Sequence, residues 1–282
     1  MTPRQLLEEA TTTLEANGVE SARHDAEMLL SHVTGIARSM LALTARPNPL
    51  QLTAFRDLVT ARASRIPLQH LLGSAAFRHV DLEVGPGVFV PRAETELLAG
   101  WAIDAARNSG PAPVVVDLCT GSGAIALSIV QECPSARVHA VELDERAFGW
   151  ALRNLDGTGV DLRLGDAADA FGDLNGTVDV VVANPPYIPL DAWESVAPEV
   201  RDHDPALALW SGHDGLDAIR AIEATAQRLL KPGGVVGVEH ADAQGESAPA
   251  IFSEAADGRW SEVRDHEDLA GRPRYVTAVK RA

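Results

Sequence analysis

Residues 114 to 123 read Val114-Val115-Val116-Asp117-Leu118-Cys119-Thr120-Gly121-Ser122-Gly123, and they run straight into Ala124-Ile125-Ala126-Leu127-Ser128-Ile129-Val130. Three valines in a row predict a strand covered on both faces. Gly121 and Gly123 predict a tight turn, and the apolar run after them a helix. A strand, a glycine-bearing turn and a helix in that order make a corner where a nucleotide can come close to the backbone, beside the free N–H groups of the helix start. The spacing is not Gly-x-Gly-x-x-Gly, because Gly123 is followed by Ala124-Ile125-Ala126. A plain turn between strand and helix would account for this much. The neighbouring stretches decide.

On the C-terminal side, apolar strand runs alternate with helical patterns. Strands are expected at Arg137 to Glu142, Asp161 to Leu164, Val178 to Val182, Gly234 to Glu239 and Tyr275 to Lys280. Helices are expected at Glu145 to Leu155 and Leu216 to Leu230, and ahead of the corner from Thr95 to Arg107. That alternation predicts an α/β fold with a mostly parallel sheet and helices on both faces. Residues 1–75 read differently. Thr2-Pro3 suits a helix start, Leu6, Leu7, Ala10 and Leu14 recur at helical spacing, and Asn17-Gly18 stops the run. Ala22 to Val33 and Pro49 to Val59 continue the pattern, so a small helical bundle is expected. Between the two, residues 76–92 hold Phe77, Val80, Leu82 and Val84, then Gly85-Pro86-Gly87, then Val88-Phe89-Val90. This predicts a hairpin turning at the glycines and linking the bundle to a catalytic domain over residues 93–282.

The strand ends carry the chemistry. Glu142 closes the second strand about twenty residues beyond the glycine turn, where a carboxylate can accept both hydroxyls of a ribose. Asp166, followed by Ala167, sits at the tip of the third. With Asp117 these make three acidic residues on one sheet edge. A pyrophosphate would be opposed there, which argues against a dinucleotide. S-adenosylmethionine carries a sulfonium and an ammonium group and no phosphate, so it suits such a cradle. The candidate cofactor-binding residues are Asp117, Cys119, Thr120, Gly121, Ser122, Gly123, Glu142, Asp166, Ala167 and Asn184.

Asn184-Pro185-Pro186-Tyr187 follows the fourth strand, on the same edge. Methyl transfer from a sulfonium to an amide or exocyclic amine needs an NH2 group held in line, because its lone pair is delocalised. The Asn184 side-chain oxygen and the Pro185 carbonyl can each accept one N–H, and a proline brings no competing donor. Tyr187 can stack on the flat acceptor. These four residues are the catalytic candidates, and rate would come mostly from proximity and orientation.

The Val115 to Gly123 stretch resembles the first motif of the class I methyltransferases, whose sheet is Rossmann-like, with Cys119 where many relatives have Gly. If that position needs φ > 0, Cys costs roughly 1 kcal/mol there. Asn-Pro-Pro-Tyr resembles the motif of amino-methyltransferases acting on adenine N6 or on glutamine amides. Three further stretches choose between them: Arg65-Ile66-Pro67-Leu68-Gln69-His70-Leu71-Leu72-Gly73; Val90-Pro91-Arg92-Ala93-Glu94-Thr95-Glu96; and Asp202-His203-Asp204-Pro205-Ala206-Leu207-Ala208-Leu209 with Asp214-Gly215-Leu216. Together they are similar to the release factor glutamine methyltransferases over essentially the whole chain. The resemblance implies methylation, by S-adenosylmethionine, of the glutamine in the Gly-Gly-Gln loop of class-1 peptide chain release factors. A glutamine methyltransferase of a large-subunit ribosomal protein is the alternative. An adenine-N6 nucleic-acid enzyme and a non-catalytic adenosine-binding scaffold are further ones.

Bulk properties agree. The 282 residues carry a formal net charge of −16. Residues 1–80 hold eight Arg and seven acidic side chains, so the remainder carries −17. Such a field disfavours stable nucleic-acid binding and suits a protein substrate. Two cysteines and no His-x-His or His-Glu-x-x-His pattern give no metal site. With no apolar run of 18 residues, no membrane association, a cytoplasmic location and a monomer are expected. Arg92, Glu94 and Glu96 either line the cofactor mouth or pair structurally. The arginines from Arg4 to Arg65 either meet the partner or solvate helix faces. Trp101, Trp210 and Trp260 are expected as core contacts.

Overall fold

In the computed structural model, which describes residues 1–43, 46–255 and 258–282, the chain divides into two units. One holds Met1–Ser74 with Val84–Pro86 and Ala197–His203; the other holds Ala75–Glu83, Gly87–Val196 and Asp204–Ala282.

The first unit is helical, with α1 (Pro3–Ala16), α2 (Ala22–Thr34), α3 (Pro49–Ala63) and α4 (Leu68–Leu72). Thr2 with Gln5 and Asn48 with Gln51 form capping boxes, and Pro3 and Pro49 open their helices. Each cap contributes about 1 kcal/mol by satisfying otherwise orphaned N–H groups. Leu6, Leu14, Leu29, Leu30 and Phe55 form the core. Several of the arginines are ion-paired, Arg4, Arg23 and Arg38 on solvent-exposed faces. Arg4 pairs with Glu8, and Arg23 and Arg38 share Glu27. Arg62 is buried between Asp25 (2.8 Å) and Glu199 (3.0 Å), and Arg65 closes on Glu199 at 2.5 Å. The two guanidinium groups hold the Glu199 carboxyl below its usual range, against the effect of its burial.

The hairpin sits earlier than the glycines suggested. β1 (Ser74–Phe77) pairs with β2 (Val80–Glu83) around Arg78-His79, and Val88–Val90 form no strand. Arg78 takes the left-handed φ of 51° that the turn needs. It is held there by its hydrogen bonds to Glu132 (2.7 and 2.9 Å) and to the Glu96 carbonyl (3.0 Å). A charge network, absent from turn statistics, places the reversal.

In the second unit, α5 (Thr95–Asn108) precedes β3 (Val114–Leu118), α6 (Ala124–Glu132), β4 (Arg137–Glu142), α7 (Glu145–Asn154), β5 (Asp161–Leu164) and β6 (Val178–Ala183). α8 (Pro198–His203) belongs to the helical unit. Then come α9 (Asp217–Leu229), β7 (Leu230–Glu239), α10 (Ser247–Ser253), β8 (Trp260–Glu267) and β9 (Pro273–Lys280). The sheet order is β5-β4-β3-β6-β7-β9-β8. It is parallel from β5 to β7, and β9 runs antiparallel to both neighbours. This is the expected Rossmann-like, mostly parallel sheet. Every residue of β3 and β6 is buried. Ile219, Ile222 and Ala226 of α9 join Val178, Val181, Val236 and Val238 in one core cluster. Trp260 lies in that core with its indole N–H on Glu223, while Trp210 stacks on Trp193. No helix among the described residues is long and apolar enough to cross a membrane.

Four elements went unanticipated: the short helices α4, α8 and α10, and the strand β8. β8 reads Trp-Ser-Glu-Val-Arg-Asp-His-Glu, an edge strand whose alternation is broken by bulges at Ser261/Arg264 and His266/Glu267, with Glu262 at φ 52°. Charge and bulges are what an edge strand uses to block further pairing, and they erase its pattern. α10 is a seven-residue helix, too short to show a period.

Candidate active site

Register brings the site together. Ala183 at the end of β6 pairs with Leu118 of β3 on one side and Val238 of β7 on the other. One residue further along, Cys119, Asn184 and Glu239 therefore emerge from three adjacent strands at one edge. Leu118 also pairs with Val141, and Glu142 with Leu164, so the loops after β4 and β5 continue that row.

The β3–α6 loop is built from within. Asp117 is fully buried, and its Oδ2 accepts the Thr120 hydroxyl (2.6 Å) and the Ala126 amide (3.1 Å). Its carboxylate therefore shapes the loop from inside rather than lining the edge as Glu142 does, and Thr120 gives its hydroxyl to the same task. Burial pushes Asp117 up to about 7, and Oδ1 has no partner. Cys119 takes φ 63°, the left-handed conformation that the cost argument anticipated. Burial pushes its thiol far above the ordinary range. Gly123, at φ 86°, is closely packed: an added Cβ would stand 3.1 Å from Leu155 Cγ, so that side chain would have to give way. Gly121 is the opposite case, with open space where its Cβ would be. Ser122 is buried, and its carbonyl accepts from Asn154 (2.8 Å).

Glu142 reaches back to this loop. Its Oε2 accepts the Gly121 amide and its Oε1 the Asp144 amide, both at 2.8 Å. Burial raises its pKa against those two bonds. A carboxylate has about four acceptor positions, so capacity for two more donors remains. Asp166 is exposed beyond β5, its Oδ1 capping Ala168 N (2.9 Å), and Ala167 rests half-buried against the core.

The Asn184-Pro185-Pro186-Tyr187 loop is anchored by residues that the sequence reading did not single out. Asn184 Nδ2 donates to Thr95 Oγ1 at the start of α5 (3.1 Å). The planar amide then turns Oδ1 another way. Pro185 is buried and Pro186 half-buried. Tyr187, also half-buried, donates its hydroxyl to Glu239 Oε1 (3.3 Å), and burial beside that carboxylate raises its pKa strongly. Gln244 Nε2 donates to the Tyr187 carbonyl (3.0 Å) and to the Asp214 carbonyl (3.2 Å). Beyond the loop, Ile188 exchanges backbone hydrogen bonds with Leu209 (2.8 Å) and Ser211 (2.9 Å). Glu239 ends a strand in the same way as Glu142, a signal that could have found it. Gln244 gives no such signal, because only the tertiary fold brings it to the loop.

Arg92 and Glu96 pair structurally. Arg92 binds the buried Asp204 at 2.6 Å and lies over the Phe89 ring, and Glu96 accepts the Arg78 amide (3.0 Å). Burial nevertheless pushes Asp204 up to about 6.

These residues fit a cationic nucleoside. Asp117 Oδ1 is an orphaned buried acceptor, Glu142 has spare lone pairs, and the space over Gly121 lets a ligand touch the backbone. No side chain of the loop supplies a positive charge for a phosphate.

Comparison with known proteins agrees in extent. A profile of the PrmC N-terminal domain matches residues 5–73, and one of the methyltransferase small domain matches residues 86–196. A release factor glutamine methyltransferase of Streptomyces coelicolor is 56% identical over 273 residues, covering 96% of each chain. One of Mycolicibacterium smegmatis is 49% identical, over 98% of this chain and 97% of its own. A 4-amino-L-phenylalanine/4-methylamino-L-phenylalanine methyltransferase of Streptomyces pristinaespiralis is 45% identical, over 91% and 88%.

Proposed function

The chain belongs to the release factor glutamine methyltransferase family, and from that premise we propose that it methylates the side-chain amide nitrogen of the glutamine in the Gly-Gly-Gln loop of class-1 release factors. The observation that carries this reading is the side-by-side emergence of Cys119, Asn184 and Glu239 from adjacent strands. It supports an amide-gripping loop directly beside the cofactor cradle.

When bound, S-adenosylmethionine supplies an electrophilic methyl group on a sulfonium. Glu142 would accept its ribose hydroxyls, and the backbone from Cys119 to Gly123 would lie against it. Asp117 would serve from beneath, through the loop it shapes and its spare Oδ1. Asp166 and Ala167 are assigned to the far side of the cradle. Asn184 Oδ1 and the Pro185 carbonyl each accept one N–H of the acceptor amide, which fixes its plane and its nitrogen. Pro186 keeps the turn rigid, and the Tyr187 ring offers a flat face. No base is required, since nitrogen gives up its proton readily once alkylated. Orientation supplies most of the rate.

The test is mass spectrometry of a purified release factor after incubation with enzyme and S-adenosylmethionine. One added methyl on the Gly-Gly-Gln glutamine is expected, with none on a large-subunit ribosomal protein, on DNA or on 4-amino-L-phenylalanine. Label confined to any of those three would replace the reading. Asn184→Ala should lower kcat by at least about 100-fold, the scale of losing one preorganised hydrogen-bonding group at a reacting centre, with cofactor binding retained.

A further inference from the structure

We propose that Gln244 is a positioning residue for methyl transfer. Its side-chain NH2 group holds the Tyr187 and Asp214 carbonyls together and so fixes the Asn184-Pro185-Pro186-Tyr187 loop against the end of β7. The proposal rests on the assignment of that loop as the acceptor-binding one.

The loop has few donors of its own. Pro185 and Pro186 carry no N–H, so the turn is held through side chains and carbonyls instead. At its head, Asn184 Nδ2 donates to Thr95 Oγ1 (3.1 Å). At its tail the donor comes from another segment. Gln244, 6% exposed, closes the single 3-10 turn Asp242–Gln244 just beyond β7. Its Nε2 donates to the Tyr187 carbonyl (3.0 Å) and to the Asp214 carbonyl (3.2 Å).

The direction of this amide is fixed. Gln244 Oε1 accepts the Ala241 amide (2.9 Å), so the oxygen end is committed and the NH2 end faces the loop. That group has two hydrogens, one for each carbonyl. Two carbonyl oxygens converging on one place repel unless a donor stands between them, and buried carbonyls without a donor are costly. Gly215 permits the convergence. It takes φ 77°, and a side chain there would collide with the Tyr187 carbonyl and Gln244 Nε2. The next loop residue, Ile188, is bonded to Leu209 and Ser211, which ties the two segments into one ribbon. Gln244 joins that ribbon to the end of β7. Glu239, the last residue of β7, accepts the Tyr187 hydroxyl (3.3 Å). Tyr187 is therefore held at both ends, by hydroxyl and by carbonyl, from the one stretch 239–244. This sets the plane of its ring and the place of the Pro185 carbonyl two residues back.

Gln244→Glu keeps the length of the side chain and the acceptor for Ala241. Once ionised, it sets a carboxylate with no hydrogen against two carbonyl oxygens. On the release factor, kcat should fall about 10- to 100-fold, the range for misplacing a positioning group by near 1 Å. KM for the release factor and the affinity for S-adenosylhomocysteine, measured by calorimetry, should be unchanged. The chain has two tyrosines, Tyr187 and Tyr275, so labelling tyrosine with 13C at its carbonyl gives two resonances, assigned with Y275F. In Q244E the Tyr187 signal should move upfield as its hydrogen bond is lost, with Tyr275 as the internal control. Gln244→Met, uncharged and of similar length, should reproduce the loss of kcat, and it carries the test should Q244E fail to fold. Wild-type kcat in these variants beside an inactive N184A overturns the proposal and leaves the acceptor-binding reading intact, as does an unmoved Tyr187 resonance. An equal loss of S-adenosylhomocysteine affinity, or failure of both variants to fold, would make Gln244 a structural prop and overturn the proposal too. An active N184A overturns the acceptor-binding reading, and the proposal with it.

Discussion

At the scale of single residues, the site separates groups that build from groups that remain free to bind. Asp117 Oδ2 is bonded to Thr120 and to Ala126, which shapes the loop, while Asp117 Oδ1 has no partner. Glu142 accepts two backbone amides and keeps lone pairs in reserve. Glu142→Ala should therefore weaken S-adenosylmethionine binding by about 10- to 100-fold, corresponding to about 1.5–3 kcal/mol for hydrogen bonds to a charged group. Titration calorimetry showing full affinity would remove the ribose assignment. Cys119 shows how much a motif tolerates. It adopts the left-handed conformation that a glycine would take freely, and its side chain rests against the core below.

At the scale of elements, the Asn184–Tyr187 loop depends on a glycine far from it in sequence. Gly215 takes φ 77°, and a Cβ there would overlap the Tyr187 carbonyl and stand 2.7 Å from Gln244 Nε2. The Asp214-Gly215-Leu216 stretch thus acts on the loop from behind. Gly215→Ala should lower kcat at least about 10-fold, on the reasoning that a displacement near 1 Å in a positioning group is severe. S-adenosylhomocysteine affinity, proposed to depend on the β3–α6 loop, should hold. A kcat equal to wild type would show that the Tyr187 backbone is not held there. The parallel strands were legible because β3 and β6 are buried along their whole length, and burial on both faces leaves an unmistakable valine run. The loops carrying Asn184 and Glu142 were legible because they sit at those strands' ends. Thr95 and Gln244 were not, since nothing near them in sequence announces that they will meet residues 89 and 57 positions away. The hairpin was misplaced for a related reason: Arg78 draws its support from Glu132 and Glu96, both distant along the chain.

At the scale of the whole molecule, buried acids shape the response to pH. Asp117, Asp204 and Glu239 have folded-state values of about 7, about 6 and about 7, all above their ordinary ones. For an acid raised on folding, the contribution to stability is complete below its unfolded value and is lost as pH climbs through the folded one. Asp173 and Asp214, each held at about 2 chiefly by Arg163 and Arg220, act oppositely and lose their contribution only in strong acid. The formal charge of −16 adds repulsion at high pH. Calorimetry of the cofactor-free protein should give a Tm several degrees higher at pH 5.5 than at pH 8. An equal or higher value at pH 8 would contradict this ledger of buried carboxyls.

The backbone passes from one unit to the other five times, at residues 74/75, 83/84, 86/87, 196/197 and 203/204. A protease nick at any one of these junctions would leave the two halves threaded together by the remaining four. Nor does shortening the gene isolate the catalytic half cleanly. A polypeptide beginning at residue 75 keeps Glu199 but discards Arg62 and Arg65, stranding an anion whose counterions were left on the missing piece.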